Sequence, residues 1–202
     1  MRLISLIIFL LICACRPVWM EETAQAKQSI EGSEDPSIIS DTIAEDHLII
    51  QRETGLVLLN GHPYSGASVA YHTSHQLATY TEYLNGKKHG LYQSWFSSGQ
   101  RSFSGYYLEG RRHGHSASWW TNGCLRTESN FVRGTAHGIQ QAWYQSGALF
   151  RVIRLVDGKE EGLQQAWREN GKLYSNYEAK NGRIYGLKRA HLCYQLSDEV
   201  IQ

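Results

Sequence analysis

Apolar side chains recur along this chain at two spacings, one short and one long. The short one is alternation, the period of half-buried strands whose successive side chains point to opposite sides. Leu91-Tyr92-Gln93-Ser94-Trp95-Phe96 is one such run, rich in the aromatic residues that suit a pleated surface. Alternation places Leu91 with Trp95 on one side, and likewise Ile139 with Trp143 and Leu163 with Trp167. On the returning runs Leu125, Leu149 and Leu173 fill one column, and Tyr83, Tyr107, Phe131, Leu155 and Ala179 fill another. The long spacing is 24 residues, and Trp95, Trp119, Trp143 and Trp167 keep it without a slip. A fixed period of this length denotes a repeat architecture. Stacked units would join the columns into apolar ribs, each unit packing on its neighbours. The tryptophans are therefore expected to pack before they bind anything.

Glycine punctuates the same period. Gly86, Gly110, Gly134, Gly158 and Gly182 form one series, and Gly90, Gly114, Gly138, Gly162 and Gly186 a second, together making Gly-x-x-x-Gly in every unit. Gly99, Gly123, Gly147 and Gly171 form a third, inside turns such as Ser97-Ser98-Gly99 and Thr121-Asn122-Gly123. A second, longer turn is expected from Glu109 to Gly114 and at its equivalents. Strand, turn, strand, turn predicts an all-β fold, an elongated antiparallel meander of 24-residue hairpin repeats. Five units are expected over 67–186, with an N-terminal cap over 47–66 and a C-terminal cap or tail over 187–202. The last segment begins like a unit, but His191 replaces the tryptophan, and Lys188 and Arg189 are suitable edge charges.

The pattern Gly-x-x-x-x-Trp-aromatic-x-(Ser/Asn)-Gly-x-Leu, with Asn-Gly-Lys-Lys-His-Gly at 85–90, resembles the bacterial variant of the MORN repeat. The resemblance runs from Gly66 to Gly186, and His75 and Arg101 depart from its glycine and leucine columns. It extends to a family described as the antitoxin component of a YwqJK-type toxin–antitoxin pair. It implies a β-meander without catalytic residues, and it raises an antitoxin-like partner role as one alternative.

Charge divides the chain. From Arg16 to Asp46 eight acids face two bases, whereas from His47 onward seventeen Lys and Arg face eleven Asp and Glu. The first stretch has too few clustered apolar residues to build a core, so 15–46 reads as a flexible tether. Before it, Leu3 to Ile12 is almost unbroken apolar sequence, too short for the ~20 residues of a spanning helix. It fits the apolar region of a secretory signal over 1–14. Ile12-Cys13-Ala14-Cys15 resembles a lipobox, which assigns a lipid to Cys15 and places the protein in a bacterial envelope, membrane-anchored on an outer-membrane, periplasmic or surface side.

Candidate chemistry is sparse. His89, His113 and His137 hold one position in successive units, but equivalents two strands apart lie ~9–10 Å from one another. Ligands of one zinc lie within about 4 Å, so no metal is expected and the three are read as turn residues. No nucleophile elbow or phosphate loop occurs, so the chain is not expected to be an enzyme and no cofactor is expected. Lys87-Lys88, Arg111-Arg112, Lys159 and Arg183 mark one edge of the ladder with cations. The leading function is a scaffold that binds a protein partner. The alternative is association with a membrane or glycan surface through those cations and Tyr92, Phe96, Trp120 and Tyr144. A third reading gives Cys193 a thiol or metal-handling role, with Cys124 a weaker candidate. Nothing points to nucleic acid.

Overall fold

The computed structural model describes residues 42–187. The signal segment, Cys15, the tether up to Asp41, Lys188, Arg189, His191 and Cys193 lie outside the described residues. Within them the fold is all-β, as the alternation predicts. A short N-terminal part comprises β1 (Thr42–Ala44), a 3-10 turn (Glu45–His47), β2 (Ile49–Ile50), β3 (Val57–Leu59) and β4 (His62–Pro63). The body follows as β5 (Gly66–Tyr71), β6 (Leu77–Leu84), β7 (Lys87–Trp95), β8 (Arg101–Leu108), β9 (Arg111–Trp119) and β10 (Leu125–Val132). It continues with β11 (Thr135–Ala136), β12 (Gly138–Trp143), β13 (Leu149–Val156), β14 (Lys159–Glu160), β15 (Gly162–Trp167), β16 (Leu173–Lys180) and β17 (Arg183–Leu187).

With β1, the strands β5 to β17 form one 14-stranded sheet, antiparallel from β5 onward in chain order except that β10 pairs directly with β12 and β13 with β15, while short β11 and β14 pair only with β10 and β13. Substantial contacts among the described residues follow the pairing order of the sheets, with the 3-10 turn touching β5, so they mark no second layer on the sheet. β2, β3 and β4 make a separate small sheet, tied to the body where Val57 N–H donates to the Gly86 carbonyl at 2.8 Å. A side chain at Gly86 would strike the Val57 carbonyl oxygen at 2.9 Å, so the two backbones meet only because glycine is there. β1 corrects the tether boundary at 46. Thr42, Ile43 and Ala44 pair in parallel with Ala67, Ser68 and Val69 and cover the first edge. Sequence could not show this, because the stretch is stabilised by its neighbour's free backbone groups rather than by its own apolar pattern.

The long turn from Glu109 to Gly114 is also corrected. The turn is two residues, Glu109 and Gly110, both at positive φ (50° and 81°), and Arg111 already begins a strand. Positive φ at both centres is the primed hairpin turn whose twist matches its strands. The second glycine of Gly-x-x-x-Gly sits in a bulge instead. Between the pairs Glu128–Gln141 and Phe131–Ala136, one strand advances through Ser129 and Asn130 and the other through His137, Gly138, Ile139 and Gln140. The surplus residues take backbone groups off the ladder, and glutamines replace the lost partners. Gln164 Nε2 donates to the Arg154 and Gly162 carbonyls (2.9 and 3.2 Å) while its Oε1 accepts from Arg154 N–H (2.9 Å). Gln140 Nε2 donates likewise to Asn130 and His137 (both 3.1 Å).

The expected apolar ribs form only in part. Trp143 is 5% exposed and packed, and Tyr83 and Ala179 are buried. Ile139 and Leu163, however, are 43% and 52% exposed, and Leu173 is exposed too. Their neighbours explain it. Ile139 pairs with Arg154 and Leu163 with Glu178, charged residues that reach for water, and a single-layer sheet supplies no other cover. The deepest side chains are polar: Ser68, Thr81 and Gln164.

Candidate interaction surface

The ladder has two edges, one at each end of its hairpins. At the first, three-residue loops open on His72, Phe96, Trp120, Tyr144 and Arg168. In each, the N–H of the opening residue bonds four residues ahead while the αL residue (His75, Gly99, Gly123, Gly147 or Gly171) donates back to its carbonyl. His75 tolerates the glycine position at φ 62°. The opening side chains then reach the next unit. Trp120 Nε1 donates to the Trp143 carbonyl at 3.2 Å, Tyr144 OH to the Trp167 carbonyl at 3.0 Å, and His72 Nε2 lies 2.9 Å from the Trp95 carbonyl. Trp120 and Tyr144 are thus half-buried rung residues, and Phe96 is half-buried as well. Tyr92 packs as well, against Phe103 and Tyr107. Arg126 stacks 4.6 Å above the Trp120 ring and covers it further.

The second edge carries the primed turns, which also bond from unit to unit. The N–H groups of Gly110, Gly134 and Gly158 donate to the carbonyls of Lys88, Arg112 and Ala136 at 2.8, 2.7 and 2.9 Å. Of the histidine column, expected in the turns, His89 and His113 stand in strands and His137 directly before one, and the last two help to hold this stack. His113 Nδ1 accepts from Arg133 N–H and His137 Nδ1 from Asp157 N–H, both at 3.4 Å. Among the described residues no cluster of three or more His, Cys, Asp or Glu could hold a metal. Cys124 is buried with a free thiol inside its loop.

The basic edge splits into two columns. Lys88 lies over Tyr92 at 4.2 Å, and Arg112 lies between Phe103 and Phe131 at 5.5 and 5.3 Å. These stems serve packing. Lys87, Arg111, Lys159 and Arg183 stay exposed, and among the described residues no ion pair engages them. Each stands directly across its turn from a partner, in the pairs Leu84–Lys87, Leu108–Arg111, Val156–Lys159 and Lys180–Arg183, with Val132–Thr135 between them. Residues paired across two strands share a face. Leu84, Val132 and Val156 are 46%, 49% and 44% exposed, so apolar and cationic side chains together line one face of this edge, an apolar residue standing directly across from a cation at three of the five hairpins. Tyr106 is exposed beside them. Leu56, Leu84, Asn85, Lys87 and His89 line a shallow depression at the first of these hairpins. The sequence marks the cations but not this face, because only the two-residue turn fixes which lysine or arginine of each pair points where.

Two tyrosines titrate far from their usual range. Tyr177 is pushed up to about 12 by burial, then by its hydrogen bond to Glu160 (2.8 Å) and that carboxylate's charge. Tyr80 is pushed up to about 12 by burial and by Glu82, 2.9 Å away. A raised folded value means the protonated phenols stabilise the fold fully below about pH 10, where a free tyrosine begins to ionise, and that contribution is lost as pH rises towards about 12. Thermal melts should therefore fall through that alkaline window, and Tyr177→Phe should fall less steeply than the parent. Parallel curves would show that Tyr177 is not a source of the alkaline loss.

No protein-family model and no curated protein matches the chain. Among solved structures, the chain is similar to a Staphylococcus aureus TarM variant, crystallised with fondaparinux, α-GlcNAc-glycerol and UDP. The identity is 13% and the TM-score 0.31, over 57% of this chain and 21% of that one. The chain thus spans about a fifth of that protein's length, and a likeness this slight bears on neither fold nor function.

Proposed function

We propose that this protein is a non-catalytic scaffold of the bacterial envelope, anchored by a lipid at Cys15, whose rigid sheet binds a protein partner. The exposed apolar and cationic face at the primed-turn edge carries the reading. Exposed apolar side chains in a contiguous row, rimmed by polar groups, mark interaction sites. Leu84, Val132 and Val156 are exposed on the first, third and fourth primed-turn hairpins, with half-buried Leu108 in the same position on the second. The loop edge offers no comparable row, since Phe96, Trp120 and Tyr144 are half-buried there and the last two bond the next unit. The resemblance to MORN-type repeats agrees with a binding role, and the apolar leader ending at Cys15 supports the anchor.

A photo-crosslinking residue placed at Val132 in the host cell tests the scaffold. Protein adducts are expected there and not at Gln145, on the opposite edge. Adducts to lipid alone would favour the membrane-surface alternative instead. Cell fractionation tests the anchor, because Cys15→Ser should move the protein from the membrane to the soluble fraction, and retention would refute the lipid.

A further inference from the structure

We infer that the partner segment is an extended acidic polypeptide with a carboxylate at every third residue, laid across the strands along the primed-turn edge. This rests on the scaffold reading and specifies what the surface recognises. Three observations select that chemistry.

The first is charge. Lys87, Arg111, Lys159 and Arg183 are exposed and outside any ion pair among the described residues. The turn acids Glu109 and Asp157 stand among them, and Arg133 and Lys180 add further exposed cations. The balance favours an anionic partner. The second is the apolar neighbour of three of the four cations, exposed Leu84 and Val156 beside Lys87 and Lys159 and half-buried Leu108 beside Arg111, which rewards a partner carrying apolar groups beside its carboxylates. A purely ionic polymer would leave those side chains in water.

The third is pitch. Equivalent residues on successive hairpins are two strands apart, roughly 9.6 Å at about 4.8 Å per strand. A polyproline II segment rises about 3.1 Å per residue with ~3 residues per turn, so its side chains repeat after about 9.3 Å on one side. One carboxylate in every third position therefore meets the cation at four of the five hairpins, with an apolar residue next to it at the first, second and fourth. The mismatch of about 0.3 Å per hairpin accumulates to only about 1 Å over the array. An α-helix, rising about 5.4 Å per turn, has no such match. Thr135 takes the cation's place in the third unit, so one carboxylate there would meet a hydroxyl instead.

The test uses the full chain and two synthetic peptides of one composition, (Glu-Ile-Pro)6 and a scramble with its six glutamates contiguous. Vesicles containing phosphatidylglycerol and inorganic polyphosphate serve as competing probes. The triplet peptide should bind at least about tenfold more tightly than the scramble, and binding should weaken from low to physiological salt. Changing Lys87→Ala, Arg111→Ala and Lys159→Ala together should abolish the preference. These side chains are exposed, so the variant's melting temperature should stay near the parent's and show that the fold persists. Equal affinity for the two peptides overturns the inference, as does binding of vesicles or polyphosphate without peptide discrimination. The scaffold reading would survive if Val132 still gave protein crosslinks, and both would fall if it gave none.

Discussion

Replacing Trp143 with alanine should lower the unfolding free energy by about 3–5 kcal/mol, the usual cost of emptying a well-packed tryptophan site. Against a total of about 5–15 kcal/mol, that is the largest single loss expected here. Trp143 is 5% exposed, pairs with Leu149, and its carbonyl accepts the Trp120 indole from the preceding unit. Trp167 repeats the position one unit later but is only half-buried, so Trp167→Ala should cost roughly half as much. Stability of stacked units rests on interfaces with both neighbours. An interior tryptophan therefore fails on two sides and a peripheral one mainly on one. Urea unfolding of the two variants measures the difference. Equal and small losses would show that the column is ornamental to stability and would return these rings to the list of binding candidates.

Gln164→Leu should cost about 3 kcal/mol, because the substitution preserves bulk and removes every polar partner the bulge has borrowed. Gln164 is 1% exposed and makes bonds to the N–H and carbonyl of Arg154 and to the Gly162 carbonyl. Without it Arg154 N–H loses its acceptor in a part-buried bond beneath the fully buried Gln164 side chain, and such an orphan costs about 1–3 kcal/mol. Gln140→Leu should cost less, about 1–2 kcal/mol, since Gln140 donates to carbonyls and leaves no N–H stranded. Amide exchange gives a local readout. The Arg154 amide should exchange faster in Gln164→Leu by more than global destabilisation explains, and unchanged relative protection would refute the role.

Sequence alone determined the architecture, since a period held by four series of residues permits one kind of fold. Alternation fixed the strands, and glycines at Gly99, Gly123 and equivalents fixed the loops, because only αL-tolerant residues close them. The tryptophan column was legible for the same reason. Periodicity could not reveal what depends on the partner strand. Gln140 and Gln164 look like solvent-facing polar residues, and only the bulge opposite Asn130 and Arg154 turns them inward. Ile139 and Leu163 look like core, and only their pairing with Arg154 and Glu178 exposes them. Lys87 and Lys88 are neighbours with the same charge, yet one faces water and the other lies on Tyr92. Adjacent residues on a strand point to opposite faces, and which face is covered is settled by register, a property of two strands together.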